Sequence, residues 1–175
     1  MRKVILELTA SLDGYIEGPN REIDWIRFDK EAEVYLKNFA DEIDTVLYGR
    51  VSYEMYKDYE ASDSMPDVKR VLFSDTMDAA AGHEVVRSSE LVSAVNKLKS
   101  LPGKNIWLFG GSKLITSFVN ADLIDEYRVA VQPVILGAGN PLFRDISRIV
   151  NLKLVKATTW SESGIVQLIY ERSAL

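Results

Sequence analysis

The sequence predicts a mixed α/β fold. Its central sheet should be parallel in the middle, close with an antiparallel C-terminal hairpin, and be flanked by helices. Three observations carry this. Strand and helix signals alternate along the chain. An apolar run at 106–109 stops at Gly110-Gly111, and a helical pattern follows on Leu114, Ile115, Phe118 and Val119. Near the C-terminus, 152–160 and 164–172 read as two strands joined through Glu162-Ser163-Gly164.

The elements follow in order. Residues 3–10 alternate, with Val4, Leu6 and Leu8 against Ile5, Glu7 and Thr9, as a strand does. Residues 29–42 carry Ala32, Tyr35, Leu36 and Phe39 at helical spacing. A strand at 43–48 runs into Gly49-Arg50 and a short helix at 51–55. A strand is expected at 68–74. A helix at 88–101 is built on Leu91, Val95 and Leu98 and stopped by Pro102-Gly103. A long strand is predicted over 124–136, with Pro133 marking a sheet edge or a bulge. There are no repeats, low-complexity tracts or linkers, so 1–175 is expected to form one domain.

Composition narrows the function classes. At 47% hydrophobic and 27% charged, the chain can bury a substantial core. Its net charge of −5 gives no general attraction to nucleic acid or to an anionic membrane. No apolar run approaches the ~20 residues of a membrane span. The N-terminus enters a strand directly, without the pattern of a signal peptide. With no cysteine in the sequence, disulfides and thiolate chemistry are excluded, and a cytoplasmic location is expected. His83 is the single histidine, so a His/Cys zinc site is excluded and no metal is expected. It lies in a loop entering a strand and reads as a surface residue.

Two junctions carry chemistry. At Gly110-Gly111-Ser112, glycines let a ligand approach the backbone and a helix start offers unpaired N–H groups, which suits a pyrophosphate. An ordinary strand-to-helix turn has the same pattern. At Gly49-Arg50, a glycine and a planar fork of donors again open a helix. There a solvent-facing arginine beside a turn is the alternative. A Rossmann reading fails, because no G-x-G-x-x-G follows the first strand. The nearest spacing, Gly137-Ala138-Gly139, runs into Pro141-Leu142-Phe143 rather than a helix.

Taken in order, these pieces resemble the dihydrofolate reductase superfamily, and more closely the reductase domain of riboflavin-biosynthesis deaminase-reductases. The resemblance rests on Thr9-Ala10-Ser11-Leu12-Asp13-Gly14-Tyr15-Ile16, Asp24-Trp25, Tyr48-Gly49-Arg50 and Leu72-Phe73-Ser74. It continues through Phe109-Gly110-Gly111-Ser112 and from Leu123 to Phe143. It implies a dihydrofolate-reductase-like three-layer fold and NADPH as cofactor. Gly110, Gly111, Ser112, Lys113 and Leu114 match the segment around the pyrophosphate. Gly49, Arg50 and Ser52 match a second phosphate-binding helix start. Arg50, Ser74 and Lys113 fall where relatives meet the 2′-phosphate. Two cations and a hydroxyl suit a phosphate, whereas a ribose diol calls for a carboxylate. Ile16 matches a position beside the nicotinamide, and it reads equally as a core residue.

The implied reaction is hydride transfer to a C=N or C=O group of a small molecule. Asp29 and Glu31, after Trp25, are the candidate proton-donating acids, although neither has quite the offset of a folate reductase. Each also reads as a helix N-terminal acid. Asp13 is expected to brace a turn. Relatives acting in riboflavin synthesis place an acid just before the Gly pair, where this chain has Phe109. The sequence therefore singles out no indispensable acid, and a water or the substrate is left to deliver the proton. The deaminase half, with its H-x-E and C-x-x-C signature, is absent. The leading expectation is an NADPH-dependent reductase resembling 5-amino-6-(5-phosphoribosylamino)uracil reductase. The alternatives are a dihydrofolate or pteridine reductase, and a nucleotide-binding domain without activity. A homodimer is expected, with strand 127–132 as the edge that a partner covers.

Overall fold

Val4, Ile5 and Leu6 are all buried, so the first strand, β1 (Val4–Ser11), is covered on both faces. Apolar runs of this kind belong in the interior of a parallel sheet with helices on each side. The computed structural model describes residues 1–56 and 67–173 and places β1 there. The other main strands are β3 (Ile43–Gly49), β4 (Lys69–Phe73), β5 (Glu84–Val86), β6 (Asn105–Gly110), β7 (Glu126–Gln132), β9 (Leu152–Thr159) and β10 (Val166–Arg172). They form one eight-stranded sheet in the order β5-β4-β3-β6-β1-β7-β10-β9. The pairs from β5 to β7 are parallel, and β10 runs antiparallel to both β7 and β9. The expected parallel middle and antiparallel C-terminal hairpin are both present.

Among the described residues, four α-helices complete the layers. They are α1 (Lys30–Asp41), α2 (Arg50–Tyr56), α3 (Leu91–Ser100) and α4 (Ser112–Asn120). The face of β1 bearing Val4 and Leu6 packs into a core with Val95, Leu98, Ile115 and Phe118 of α3 and α4. On the opposite face, Ile5 packs with Phe39 of α1. Trp107 shares that face: its ring meets Phe39 edge-on at 5.4 Å, and its indole N–H donates to the Glu7 carbonyl at 2.9 Å. This leaves β1 and β6 open toward a cleft at their carboxyl ends, the usual place for a ligand in an open α/β sheet.

The predicted strand over 124–136 is corrected to Glu126–Gln132. Proline supplies no N–H, and at Pro133 the chain turns; the N–H of Val134 reaches back to the Gln132 carbonyl at 2.8 Å. Nor does strand 127–132 lie at an edge, because β7 sits between β1 and β10. The edges are β5 and β9. A two-stranded pair, β2 (Tyr15–Glu17) with β8 (Asn140–Pro141), was too short to give a sequence signal. It ties the Asp13-Gly14 turn to the Gly137-Ala138-Gly139 loop. Asp13 braces that turn, accepting from the Ser11 hydroxyl and the Leu136 and Gly137 amides. These bonds, the Ser11 hydroxyl first, hold its carboxyl below the ordinary value.

Candidate functional site

A cleft of about 1300 Å³ runs along the carboxyl ends of the central strands. Both glycine junctions open onto it. Gly110 has φ of 121°, a conformation that only glycine adopts readily, and it directs the chain from β6 into α4. The Gly111 N–H then donates to the Ser52 hydroxyl at 2.8 Å, joining the start of α4 to α2. Space between the junctions is close. A Cβ on Gly49 would lie 3.4 Å from the Gly110 carbonyl, and one on Gly111 would lie 3.2 Å from Ser52 Oγ. The Ser112 hydroxyl reaches Asn140 at 2.9 Å, and Asn140 in turn donates to Glu17 at 2.9 Å. The loop before β8 is thereby fixed over the start of α4.

The structure brings most of the predicted cofactor residues to this cleft. Ile16, Gly49, Arg50, Ser52, Ser74, Gly111, Ser112, Lys113 and Leu114 all line it. Gly110 is buried behind that lining. Ile16 packs against the core and also lines the cleft. Two residues carry constraints that the sequence did not show. Arg50 is engaged by Glu54 one helical turn away, at 2.7 and 2.8 Å. Ser74 is buried, and its hydroxyl accepts the Met77 amide at 3.1 Å. Lys113 makes no ion pair among the described residues.

The candidate acids are placed elsewhere. Asp29 is the N-cap of α1, accepting the Ala32 amide at 2.8 Å through one oxygen. Its other oxygen accepts the Ser163 amide at 3.1 Å. Those bonds, Ser163 first, hold its carboxyl below the usual range. Glu31 accepts the Ser161 amide at 2.8 Å. Both residues tie α1 to the turn of the C-terminal hairpin, and neither lines the cleft. His83 is half-buried rather than fully at the surface. Its ring lies 4.7 Å from that of Tyr53 and 5.6 Å from that of Tyr48.

One residue escaped the sequence reading. Glu7, in the middle of β1, is only 5% exposed and lines the cleft. Its carboxyl makes no hydrogen bond or ion pair among the described residues. The neighbouring cation, Arg128, is held by Glu126 at 2.5 Å and Glu42 at 2.9 Å. Burial pushes the Glu7 carboxyl up to about 8, against a smaller opposing pull from Arg128. Burial, and then the nearby Glu7, also raise the Tyr35 hydroxyl. The available signal was a lone carboxylate inside Val4-Ile5-Leu6-Glu7-Leu8. Beside Glu7 stand Trp107 and Phe109, whose rings are 4.9 Å apart.

A sheet of this order, with its cleft at the carboxyl ends and two glycine junctions, defines an α/β protein with the dihydrofolate reductase fold. The chain belongs to the RibD C-terminal domain family, which matches residues 2–166. It is 41% identical over 180 residues to the Bacillus subtilis protein YyaP, covering 97% of this chain and 94% of that protein. It is 33% identical over 174 residues to YwjB of the same organism, covering 98% and 99%. Among solved structures, a Shewanella sp. PV-4 protein named for riboflavin biosynthesis superposes with a TM-score of 0.85 at 22% identity, over 99% of this chain and 100% of that one. The Thermotoga maritima diaminohydroxyphosphoribosylaminopyrimidine deaminase/5-amino-6-(5-phosphoribosylamino)uracil reductase gives 0.75 at 16%, covering 98% of this chain and 57% of that longer one. Enterococcus faecalis dihydrofolate reductase, complexed with NADP(H), gives 0.71 at 16%, over 98% and 97%.

Proposed function

We propose that this protein is an NADPH-dependent reductase that transfers hydride to a small heterocyclic or sugar-linked substrate of the kind named for its uracil-reductase relatives. One observation carries the reading. A single cleft is lined both by phosphate-suited residues, Arg50, Ser74, Thr76 and Lys113, and by apolar ones, Ile16, Trp107 and Phe109. A nicotinamide dinucleotide has those two characters at its two ends.

The residues present fit that group. Gly49 and Gly111 leave room where a side chain would crowd the junction, and the first residues of α4, Ser112 to Leu114, line the cleft, where a helix start can offer N–H groups to an anion. Arg50 and Lys113 supply positive charge for a 2′-phosphate. Asp75, which also lines the cleft, is engaged by the Ser88 amide at 2.8 Å. Bound there, NADPH would supply the hydride. The chain's part is to orient the reacting groups and exclude water. The reading is tested by titrating NADPH and NADH, then following NADPH absorbance with a panel of pyrimidine, pteridine and sugar-linked acceptors. Tighter binding of NADPH with turnover of one acceptor supports it. Absence of NADPH binding refutes it, and binding without turnover of any acceptor favours a non-catalytic nucleotide-binding role.

A further inference from the structure

We propose that Glu7 is the proton donor of this cleft, delivering its carboxyl proton to the heteroatom of the double bond being reduced. The proposal rests on the NADPH-reductase reading above and replaces the expectation that no side chain serves as the acid.

Three acids line the cleft among the described residues: Glu7, Glu17 and Asp75. Two are engaged. Glu17 accepts from Asn140 at 2.9 Å, and Asp75 accepts the Ser88 amide at 2.8 Å. The Ser88 contacts hold Asp75 low, and so ionised. Glu7 alone is nine-tenths buried and without a hydrogen-bonding partner. A buried carboxyl with no donor to stabilise its charge keeps its proton. The charged and titratable groups around it are Arg128 on β7, Tyr35 on α1 and Arg27 at the chamber wall. Arg128 is held by Glu126 and Glu42, and its pull on Glu7 is smaller than the effect of burial. From β6 the neighbours are aromatic.

Position supports the same role. The register pairs Ile5 with Trp107, so Glu7 lies one strand step further toward the cleft on the face that carries Trp107 and Phe109. The two rings are tilted 59° to each other, so a flat substrate would lie against one of them, with the Glu7 carboxyl beside it. Behind Glu7 lies a second, small chamber of about 20 Å³, also lined by Tyr35, Arg27 and Gln132. That volume holds roughly one water, which gives the carboxylate a route to regain its proton.

The step balances. Hydride from the reduced nicotinamide adds to the carbon of C=N or C=O, and the π pair moves to the heteroatom. The heteroatom takes the proton from Glu7, whose O–H bond breaks. The cofactor leaves oxidised, the substrate gains two electrons, and Glu7 is left as carboxylate until water reprotonates it.

The test uses the intact protein, with 7,8-dihydrofolate and 5-amino-6-(5-phosphoribosylamino)uracil as acceptors. Infrared spectra of the ligand-free protein near neutral pH should show a protonated-carboxyl band that Glu7→Gln removes. With NADPH and whichever acceptor is reduced, Glu7→Gln should lower kcat by at least about a hundredfold, in line with general acid catalysis. NADPH affinity should not change, and the alkaline limb of the pH profile should vanish. Glu7→Asp should restore part of the rate and the limb. Absence of the band overturns the proposal, as does a Glu7→Gln variant with wild-type kcat and an unchanged profile. A wild type that binds NADPH but reduces neither acceptor also overturns it. A wild type that binds no NADPH refutes the underlying reading instead.

Discussion

The Ser52 hydroxyl accepts the backbone N–H of Gly111 at 2.8 Å, joining two glycine-bearing junctions that lie 59 residues apart in sequence. The bond is partly buried and sits where a phosphate is expected to lie. It makes the two helix starts a single unit, so that moving one moves the other. Ser52→Ala leaves the Gly111 donor without its partner. At a partly buried site facing the cleft, loss of such a hydrogen bond costs about 0.5–1.5 kcal/mol. Urea unfolding of the ligand-free protein should show a loss in that range, and an unchanged midpoint would mean that the bond is not formed in solution.

Gly111→Val should abolish NADPH binding while the protein stays folded. The added Cβ would sit 3.2 Å from Ser52 Oγ, and a branched side chain would fill the space between the junctions. Circular dichroism and cofactor titration separate the two effects. Retained binding would reduce this junction to a structural turn.

Arg50 and Glu54 are both about two-fifths exposed, so their ion pair adds little to stability. Arg50→Ala should therefore leave the unfolding midpoint nearly unchanged. It should weaken NADPH binding by about 1.5–3 kcal/mol, the worth of a charge-assisted hydrogen bond, and leave NADH nearly unaffected. Glu54→Gln should do the reverse, freeing the guanidinium and tightening NADPH. Calorimetric titration of both cofactors decides the matter. Equal losses for NADPH and NADH in Arg50→Ala would remove Arg50 from the 2′-phosphate.

The glycine junctions were legible because backbone chemistry is local: strand, glycine and helix start adjoin in the sequence. The Asp29 cap was legible for the same reason, as one of two readings. What could not be read was set by distant packing. The catalytic reading of Asp29 depended on where α1 points it. The structure shows that its second oxygen is taken by Ser163, 134 residues away. Glu7 stood in the alternating pattern of the first strand with no sign of its burial, which comes from α1 and the aromatic side chains of β6 packed beside it. Pro133 reads in the sequence as an edge or bulge within a strand running on to 136, and the strand instead stops at Gln132. The proline marks the end of a strand rather than a sheet edge, because the C-terminal hairpin returns to cover β7.

That return moves the expected dimer contact. The open edge near the C-terminus is β9, and on or beside it Ile149, Leu154 and Val155 are 88%, 51% and 54% exposed. Apolar side chains crowded along an unpaired edge are a place where a second copy gains by burial. The β10–β9 register breaks between Ile169 and Tyr170, and a bulge at an edge disfavours simple strand addition. The expected contact is therefore through side-chain packing. Light scattering should give twice the chain mass for wild type and one chain mass for a Leu154→Glu, Val155→Lys double variant. A monomeric wild type would rule the dimer out.

Glu7 should make stability fall as pH rises. Its carboxyl is raised in the folded protein from an ordinary value near 4.5 to about 8. Between those values the folded state holds a proton that the unfolded chain has released. Stability changes with pH as protons bound unfolded minus protons bound folded, and that difference is negative here. The contribution of this group is thus full below the unfolded value, declines across the window, and is gone once pH passes the folded value. The neutral, isosteric Glu7→Gln has no such proton to lose. Urea unfolding of wild type and variant at about pH 5, 7 and 9 isolates the effect, because other titrating groups are common to both. The variant should gain on wild type at each step upward through the window and level off above about 8. Parallel curves would show that Glu7 ionises normally in the folded protein, and the burial that raises it would then be wrong.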